Sequence, residues 1–455
     1  MNDKSAALPP IPKTSWGIAA VTGAGAFMAM LDATVANLAI ESIREDLSST
    51  LTVVQWVATG YLCSLAVSLP ATAWLGARYG YGRVWATSLA TFVLASVLCA
   101  IAPDTSTLIT ARLAQGLAGG LMVPAGQAVI GSTVDKRQLG RIFGVLGLVI
   151  ALGPAIGPAV GGFLLDAASW RWLFWINVPI GVIALIAARR LVPGGERDSS
   201  RILDVKGLVL LSAGLPLLLY GAFGITLSES NLAAVFALII GAILAVIFIF
   251  TALHRKNPLV DLRLLQRTTF SAATITTGLT GINMYAGLLL VPLYLQLVAG
   301  LEPTTTGLWL LVMGLGSALV LPVAGSLTDR FGAGIVSLAG ACLLLVSAIP
   351  FVFPSVPSSP VLVAMLLARG VGMALAQMPA MTAAYTAVST EEMGDATTLV
   401  NIAQRIGGAV GAVGVVIIIQ HAGGSSSIIA HSIAFASLAA ISVLTIITAR
   451  HMHRQ

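Results

Sequence analysis

Two short segments decide the fold: residues 74–80 read WLGARYG, and residues 326–332 read SLTDRFG. Each is a polar stretch that separates two long apolar runs. Because the two segments also share their Leu, Arg and Gly positions, they predict an internal repeat in which each copy carries the same loop.

A second, weaker pair supports the repeat. Residues 115–121 read QGLAGGL, and residues 369–375 read RGVGMAL. Both pairs run in the same order along the chain. They predict two repeats of the same orientation, over about residues 16–190 and 269–450.

The composition predicts that these repeats lie in a membrane. Of 455 residues, 57% are apolar and 9% are charged, and the mean hydropathy is +0.95. A water-soluble domain has about 25% charged residues. Apolar runs of about 20 residues, enough to cross the hydrocarbon core, recur along the chain. We count fourteen predicted spans: 16–40, 51–74, 84–102, 107–130, 141–165, 172–190, 206–226, 231–253, 269–299, 305–327, 334–353, 359–386, 396–420 and 431–450.

The basic residues predict the orientation of the spans. The segments on the same side as the N-terminus hold 19 Lys and Arg residues, whereas the opposite loops hold only Arg44 and Arg171. By the positive-inside rule both termini are cytoplasmic. The net charge of +6 therefore reflects topology, and no basic soluble domain for nucleic acid is present. The first span follows a polar segment without a cleavage site, so we expect it to be retained.

Cysteine and histidine provide no catalytic or metal-binding pattern. Cys63, Cys99 and Cys342 lie in separate apolar runs, which predicts buried packing without disulfides. The five histidines lie at span ends or in terminal segments, without ligand spacing: His254, His421, His431, His451 and His453. We expect no metal, no cofactor and no intramembrane enzyme.

Asp32 is the strongest candidate for proton coupling. It is the one of 18 Asp and Glu residues that lies inside a predicted span, about 6 Å from its middle at 1.5 Å per residue. An ionised carboxylate there costs on the order of 2.5–3.5 kcal/mol, so it must face the bundle interior or water. A desolvated carboxyl can bind and release a proton near neutral pH. The alternative is a carboxylate in an aqueous vestibule at the helix end.

Three arginines also lie within spans: Arg112, Arg369 and Arg405. Arg112 is about 9 Å from the middle of its span and close in depth to Asp32, so we expect it to tune the proton affinity of Asp32. A structural clamp on helix-end carbonyls is the alternative. Arg369 and Arg405 are left without an acid, and must meet carbonyls, water or an anionic substrate.

Four motifs give the repeats a family resemblance: LDATVANLAI at 31–40, RLAQG at 112–116 followed by two glycines, GPAIGPAVGG at 153–162, and WRWLFWINVPIG at 170–181. Together they resemble the fourteen-helix branch of the drug:proton antiporters in the major facilitator superfamily, over essentially the full length.

The resemblance implies an all-α polytopic membrane protein with the major facilitator fold. It consists of two six-helix halves, 1–190 and 269–455, and an inserted two-helix hairpin with its linkers, 191–268. It also implies proton coupling at Asp32 and Arg112. QRIGG at 404–408 is similar to the family's pattern and favours a structural role for Arg405.

The resemblance also implies gating and structural roles at the fifth span and in the two repeated loops. We expect the fifth span to pack tightly against the other half through small residues, and in the family this face seals the path between the two sides. The residues concerned are Gly153, Pro154, Gly157, Pro158, Gly161, Gly162, Arg78, Asp329 and Arg330.

The first loop departs from the family pattern. Ala73 and Ala77 stand where Gly and Asp are usual, and Tyr81 with Gly82 replace basic residues, whereas the second loop keeps Asp329. We therefore expect the lock that favours the outward-facing state to be weaker, or another contact to replace it.

Residues predicted to line a substrate cavity are Met and polar or aromatic side chains within spans, because such surfaces adapt to varied hydrophobic ligands. Lipid contact or packing is the alternative for each of them: Met28, Trp56, Tyr61, Gln115, Asn283, Tyr285, Gln377 and Met381.

The sequence therefore predicts a proton-coupled multidrug efflux antiporter of the cytoplasmic membrane. It would export lipophilic, often cationic, compounds by alternating access, and we expect a monomer whose partners are drugs, protons and lipids. A uniporter or symporter for a sugar or small organic anion is the alternative within transport, and a sensor or structural membrane protein is the alternative outside it.

Overall fold

In the computed structural model, which describes residues 10–227, 232–255 and 257–452, the chain is helical and has no β-strand in those ranges. Lys4, Lys256, His453 and Arg454 lie outside the described residues. The prediction of an all-α fold is confirmed.

The first half contains nine helices: α1 (Lys13–Leu38), α2 (Ile40–Asp46), α3 (Leu51–Ser68), α4 (Thr72–Tyr79), α5 (Tyr81–Ala100), α6 (Thr105–Thr133), α7 (Leu139–Ala167), α8 (Trp172–Trp175) and α9 (Asn177–Leu191). The second predicted span is α3 and α4 joined by a 3₁₀ turn, Leu69–Ala71. That turn contains Pro70, which has no N–H to donate to a helical bond. The sixth predicted span is divided into α8 and α9.

Six helices form the second half: α12 (Thr268–Leu293), α13 (Pro303–Phe331), α14 (Ala333–Val352), α15 (Ser359–Thr386), α16 (Met393–His421) and α17 (Ile428–His451). A π-helical turn, Tyr294–Val298, extends α12. The inserted hairpin is α10 (Val205–Leu227) and α11 (Leu232–His254).

Thirteen of the described helical segments are long and apolar enough to cross a membrane. Helix α7, of 29 residues, occupies the place of the fifth predicted span, but the side chains of Pro154, Ala155 and Pro158 lie outside the described part. The helices are consistent with the predicted fourteen spans. We call the side on which α1 begins and α17 ends the terminal side.

The two halves meet along two seams. At one, α7 packs directly against α13, and a Cβ at Gly144 would come within 2.7 Å of the Leu321 carbonyl oxygen. At the other, α10 of the inserted hairpin contacts both α3 and α16, and Ser212 on α10 donates a hydrogen bond to the Val67 carbonyl (2.6 Å). The hairpin therefore covers the seam between α3 and α16.

One large apolar core joins these parts. It contains residues of both halves and of the hairpin, such as Phe143, Leu211 and Tyr385. Two further cores lie within the first half, and one lies at the opposite side of the second half. The shared core lies on the terminal side, where the chain crosses between the halves.

Candidate functional site

Asp32 on α1 and Arg112 on α6 meet in the interior of the first half. Nη1 of Arg112 donates a hydrogen bond to Oδ2 of Asp32, and each side chain is 1% exposed. The other carboxylate oxygen, Oδ1, accepts hydrogen bonds from Gln115 Nε2 (3.1 Å) and Asn177 Nδ2 (3.0 Å). The carboxylate therefore has one cationic and two amide donors, all inside the protein.

Arg112 is held by further contacts. Its Nε donates to the Val57 carbonyl (2.9 Å) and its Nη1 to Gln115 Oε1 (2.7 Å). The guanidinium lies over the ring of Tyr61, 4.2 Å from its centroid, and the Tyr61 hydroxyl donates to the Ala29 carbonyl (3.1 Å). These hydrogen-bond acceptors and the aromatic ring hold the guanidinium in place and stabilise its positive charge.

Asp32 and Arg112, which the sequence predicts at similar depth in the membrane, are thus in direct contact. No role is predicted for Asn177 from the sequence, although it lies within the WRWLFWINVPIG segment. Asn177 is a fully buried amide in the first turn of α9. Its position as a polar amide within an apolar span was the one feature of the sequence that could have indicated this role.

The fifth span does pack against the second half, but Gly153, Gly157 and Gly161, the residues expected to make that contact, pack against α1 instead, so that part of the expectation was wrong. A Cβ at Gly153 would lie 2.9 Å from the Met30 Cβ, and one at Gly157 would lie 3.2 Å from the Thr34 Cβ. Gly161 continues the same face toward Leu38, whereas a Cβ at Gly162 would meet nothing within 4 Å. The other half is contacted instead by a glycine face nearer the start of α7, at Gly140, Gly144 and Gly147.

A cavity of about 340 Å³ lies between the halves. Nineteen of its 25 lining residues come from the second half. Four of the predicted residues line it: Asn283, Tyr285, Gln377 and Met381. Six methionines line it as well: Met30, Met284, Met313, Met373, Met378 and Met381.

The other four predicted cavity residues lie elsewhere. Met28, Tyr61 and Gln115 are fully buried within the first half, and Trp56 is 47% exposed on its surface. Helix geometry explains why Met28 does not line the cavity. Met30 lines it, and a residue two positions away points about 200° away around the helix. Tyr61 and Gln115 are occupied by the Asp32–Arg112 network.

Hydrogen bonds between the halves group on the terminal side of the cavity. Gln127 Oε1 on α6 accepts from the Tyr385 hydroxyl (3.1 Å) and from Asn401 Nδ2 (2.7 Å). Asp329 accepts from the backbone N–H groups of Gly140 (2.9 Å) and Arg141 (3.0 Å), and from the Arg141 side chain. These contacts close the cavity toward the terminal side. Sequence reasoning missed Gln127.

The predicted loop residues differ in what they contact. Asp329 caps the start of α7, as above, whereas Arg330 is exposed and lies over Phe331. Arg78 donates to the Ser199 carbonyl in the linker, residues 192–204. Thus Asp329 joins the halves directly, and Arg78 holds the linker.

The first loop has Ala77 in place of the family's carboxylate, and an ion pair between the linker and the second half lies near this loop. Arg201 of the linker donates to both oxygens of Asp395 at the start of α16, at 3.2 and 3.0 Å. The linker is held to the first loop by the Asp198 N–H, which donates to the Ala77 carbonyl (2.9 Å). The ring of Tyr81 fills the space beside Gly394, where a Cβ would overlap its hydroxyl. The Arg201–Asp395 ion pair joins the linker to the second half.

No group of three or more His, Cys, Asp and Glu residues in the described ranges could hold a metal ion.

Comparison with known proteins identifies what this arrangement is similar to. A family model described as Major Facilitator Superfamily matches residues 22–412 and again residues 273–452. A protein of Mycobacterium tuberculosis named multidrug resistance protein B homolog is 32% identical over 411 residues, which cover 89% of this chain and 76% of that protein. A puromycin resistance protein of Streptomyces alboniger is 30% identical over 412 residues, which cover 88% and 81%.

Among solved structures, the proton:xylose symporter XylE bound to 6-bromo-6-deoxy-D-glucose matches with a TM-score of 0.65. The match covers 95% of this chain and 96% of that one at 12% sequence identity. At this identity the similarity concerns the fold alone.

Proposed function

The chain belongs to the Major Facilitator Superfamily, and on that premise we propose that it exports lipophilic drugs in exchange for protons. It is a multi-pass membrane transporter. Two relatives are named for resistance to multiple drugs and to puromycin, which supports drugs as the cargo. The closed network around Asp32 supports proton coupling.

The proposal includes an orientation and a division of the chain. From the distribution of Lys and Arg we infer that both termini are cytoplasmic. Contacts that close the terminal side would then make this conformation outward-facing. The units are the halves 1–190 and 269–455, with the inserted hairpin and linkers at 191–268, acting as a monomer among membrane lipids.

Protonation of Asp32 is the proposed coupling step. It neutralises the partner of Arg112, and breaking a buried ion pair on one side costs on the order of 3–5 kcal/mol. The guanidinium must then gain a new partner, so α1 and α6 must move relative to each other. Because α1 carries both Asp32 and the cavity residue Met30, such a movement reaches the cavity.

One observation carries this proposal: a carboxylate within a span whose partners are all inside the first half. Asp32 is not among the residues that line the cavity. Drug and proton therefore have separate sites in this conformation, and they are coupled through the position of α1.

Proteoliposomes with an imposed pH gradient test the proposal. The native chain is expected to transport a lipophilic drug against its gradient and to release protons to the opposite side. Asp32→Asn is expected to abolish both fluxes while eluting as a folded monomer. Glu45→Gln, a matched change at an exposed acid outside the network, should behave as the native chain. Drug-driven proton release by Asp32→Asn at the native rate would contradict the proposal.

A uniporter or symporter for a small organic anion is the second candidate, because Arg369 and Arg405 both line the cavity. The direction of proton movement separates the candidates. In the same proteoliposomes a symporter would move protons with the substrate, and a uniporter would move none.

A further inference from the structure

The cavity contains two positive charges and no negative one. Arg369 on α15 and Arg405 on α16 are among its 25 lining residues, which include neither Asp nor Glu. The membrane-embedded acid of the first half, Asp32, is already paired with Arg112. The charge of the cavity wall is thus the opposite of what a cationic drug requires.

Arg369 is buried with most of its donors unused. Its Nη2 donates to the Asn283 carbonyl (2.7 Å), which is the one hydrogen bond that the described residues give it. A guanidinium has five N–H donors in a planar fork that matches a carboxylate. Gly287 makes room for this fork against α12, because a Cβ there would overlap the guanidinium.

Asn283 adds an unpartnered polar group at the same place. Its side chain is fully buried and lies in the cavity wall, and neither its Nδ2 nor its Oδ1 has a hydrogen-bond partner among the described residues. Buried amides without partners are uncommon in folded proteins. A ligand that accepts a hydrogen bond from Nδ2 would satisfy the donor.

Arg405 differs from Arg112 in having no acid beside it. It is half-buried on α16, and none of the ion pairs or hydrogen bonds among the described residues includes it. Its charge therefore adds to that of Arg369 without neutralisation by the protein. The two arginines create a positive potential in a cavity whose wall has no acidic residue.

The remaining wall suits an apolar body. The six cavity methionines are flexible and polarizable, so they can adapt to rings and chains of different shape. A wall that combines a few charged and polar groups with flexible apolar side chains is typical of a site that fixes one group of a ligand and tolerates variety in the rest.

We propose that the cavity selects amphipathic organic anions, with a carboxylate held by Arg369 and Arg405 and an apolar body held by the methionines. This substrate class rests on the proposed export function and replaces the lipophilic cations expected from the sequence. Asn283 donates the third hydrogen bond to the carboxylate. The membrane potential then contributes to export, because one proton entering and one anion leaving move two positive charges inward.

Matched probes test the selectivity on the purified full chain in nanodiscs, without any gradient. The probes share a dansylamino-undecyl body and end in a carboxylate, a primary amide or a trimethylammonium group. Dansyl fluorescence reports binding. The carboxylate is expected to bind about tenfold more tightly than the trimethylammonium probe, since a hydrogen bond to a charged group contributes roughly that factor.

Substitutions of arginine test whether the preference for the carboxylate probe depends on the cavity arginines. Arg405→Gln is expected to weaken the carboxylate probe about tenfold while the amide probe changes little, and Arg405→Lys should restore part of the loss. Arg450→Gln removes an exposed arginine at the end of α17 and should change nothing. Equal or tighter binding of the trimethylammonium probe to the native chain would overturn the proposal, and so would an unchanged probe order in a folded Arg405→Gln.

The two proposals fail separately. The preference for the carboxylate should persist in Asp32→Asn, because Asp32 does not line the cavity. If that variant keeps both native transport and native selectivity, the coupling proposal fails and the substrate class stands. If proton-coupled export is intact but the probes show no preference, the substrate class alone fails.

Discussion

Arg201 and Asp395 form an ion pair that ties the linker after α9 to the start of α16, with Nη2 3.0 Å from Oδ2. At the corresponding place in the other repeat, Arg141 at the start of α7 pairs with Asp329, and their Nε and Oδ2 atoms are 3.1 Å apart. In the second pair the acid lies in the last turn of α13 and the base at the start of α7. In the first pair the acid lies at the helix start, and the linker supplies the base.

Removing the base should loosen the terminal side. Arg201→Gln is expected to destabilise the closed arrangement by about 1–2 kcal/mol, between the values for exposed and buried ion pairs. Spin labels at the exposed positions Arg137 and Thr390, in a cysteine-free background, would report a larger population of long distances. Arg190→Gln, at an exposed arginine at the end of α9, is the control. Identical distance distributions in Arg201→Gln and the control would refute this role.

Restoring the family's acid at position 77 should also loosen the terminal side. The backbone of residue 77 contacts the linker, in which Arg201 pairs with Asp395. Ala77→Asp would therefore add a second carboxylate near this ion pair, and the new carboxylate would repel that of Asp395. Ala77→Asn has the same size and no charge, so it should leave the distances unchanged. A shift toward shorter distances in Ala77→Asp would mean that the carboxylate caps α16 after all.

Gln127 should contribute to closure through its acceptor. Gln127→Leu leaves the buried Tyr385 hydroxyl without the one partner described for it, whereas Asn401 still donates to the Thr397 carbonyl. An unsatisfied buried hydroxyl costs about 1–3 kcal/mol. The spin-label distances should lengthen, and the further change Tyr385→Phe should restore most of the closed population. A double variant as open as Gln127→Leu would exclude this explanation.

The glycine face of α7 should be sensitive to a single methyl group. Gly153→Ala places a Cβ 2.9 Å from the Met30 Cβ and 3.0 Å from the Leu31 nitrogen, and such overpacking costs about 1–3 kcal/mol. The midpoint of thermal unfolding, followed by tryptophan fluorescence, should fall by several degrees.

Gly162→Ala is the matched control on the same helix, because its Cβ would meet nothing within 4 Å. Alanine has the higher helix propensity by about 1 kcal/mol, so the midpoint should stay or rise. If Gly153→Ala and Gly162→Ala unfold at the same temperature, close contact between α1 and α7 is not what requires glycine.

Much of the site could be predicted because charges are rare in this chain. An acid and three arginines within spans are visible without a structure, and similar depth was enough to suggest that Asp32 and Arg112 interact. Neutral residues gave weaker signals. Asn177, Gln127 and Met30 are ordinary in type, and their roles depend on which way each helix face points.

The sequence by itself determined the helical spans, the repeat of two halves and the isolation of Asp32, because apolar length, repeated loops and buried charge are properties of the chain. Only the tertiary structure decided that Met30 rather than Met28 lines the cavity, that Gly153, Gly157 and Gly161 of α7 face α1, and that Arg201 pairs with Asp395. The physical reason is that lipid and protein interior are both apolar, so a span has no hydrophobic stripe to show its packed face. The partner of each face is fixed only when the helices pack.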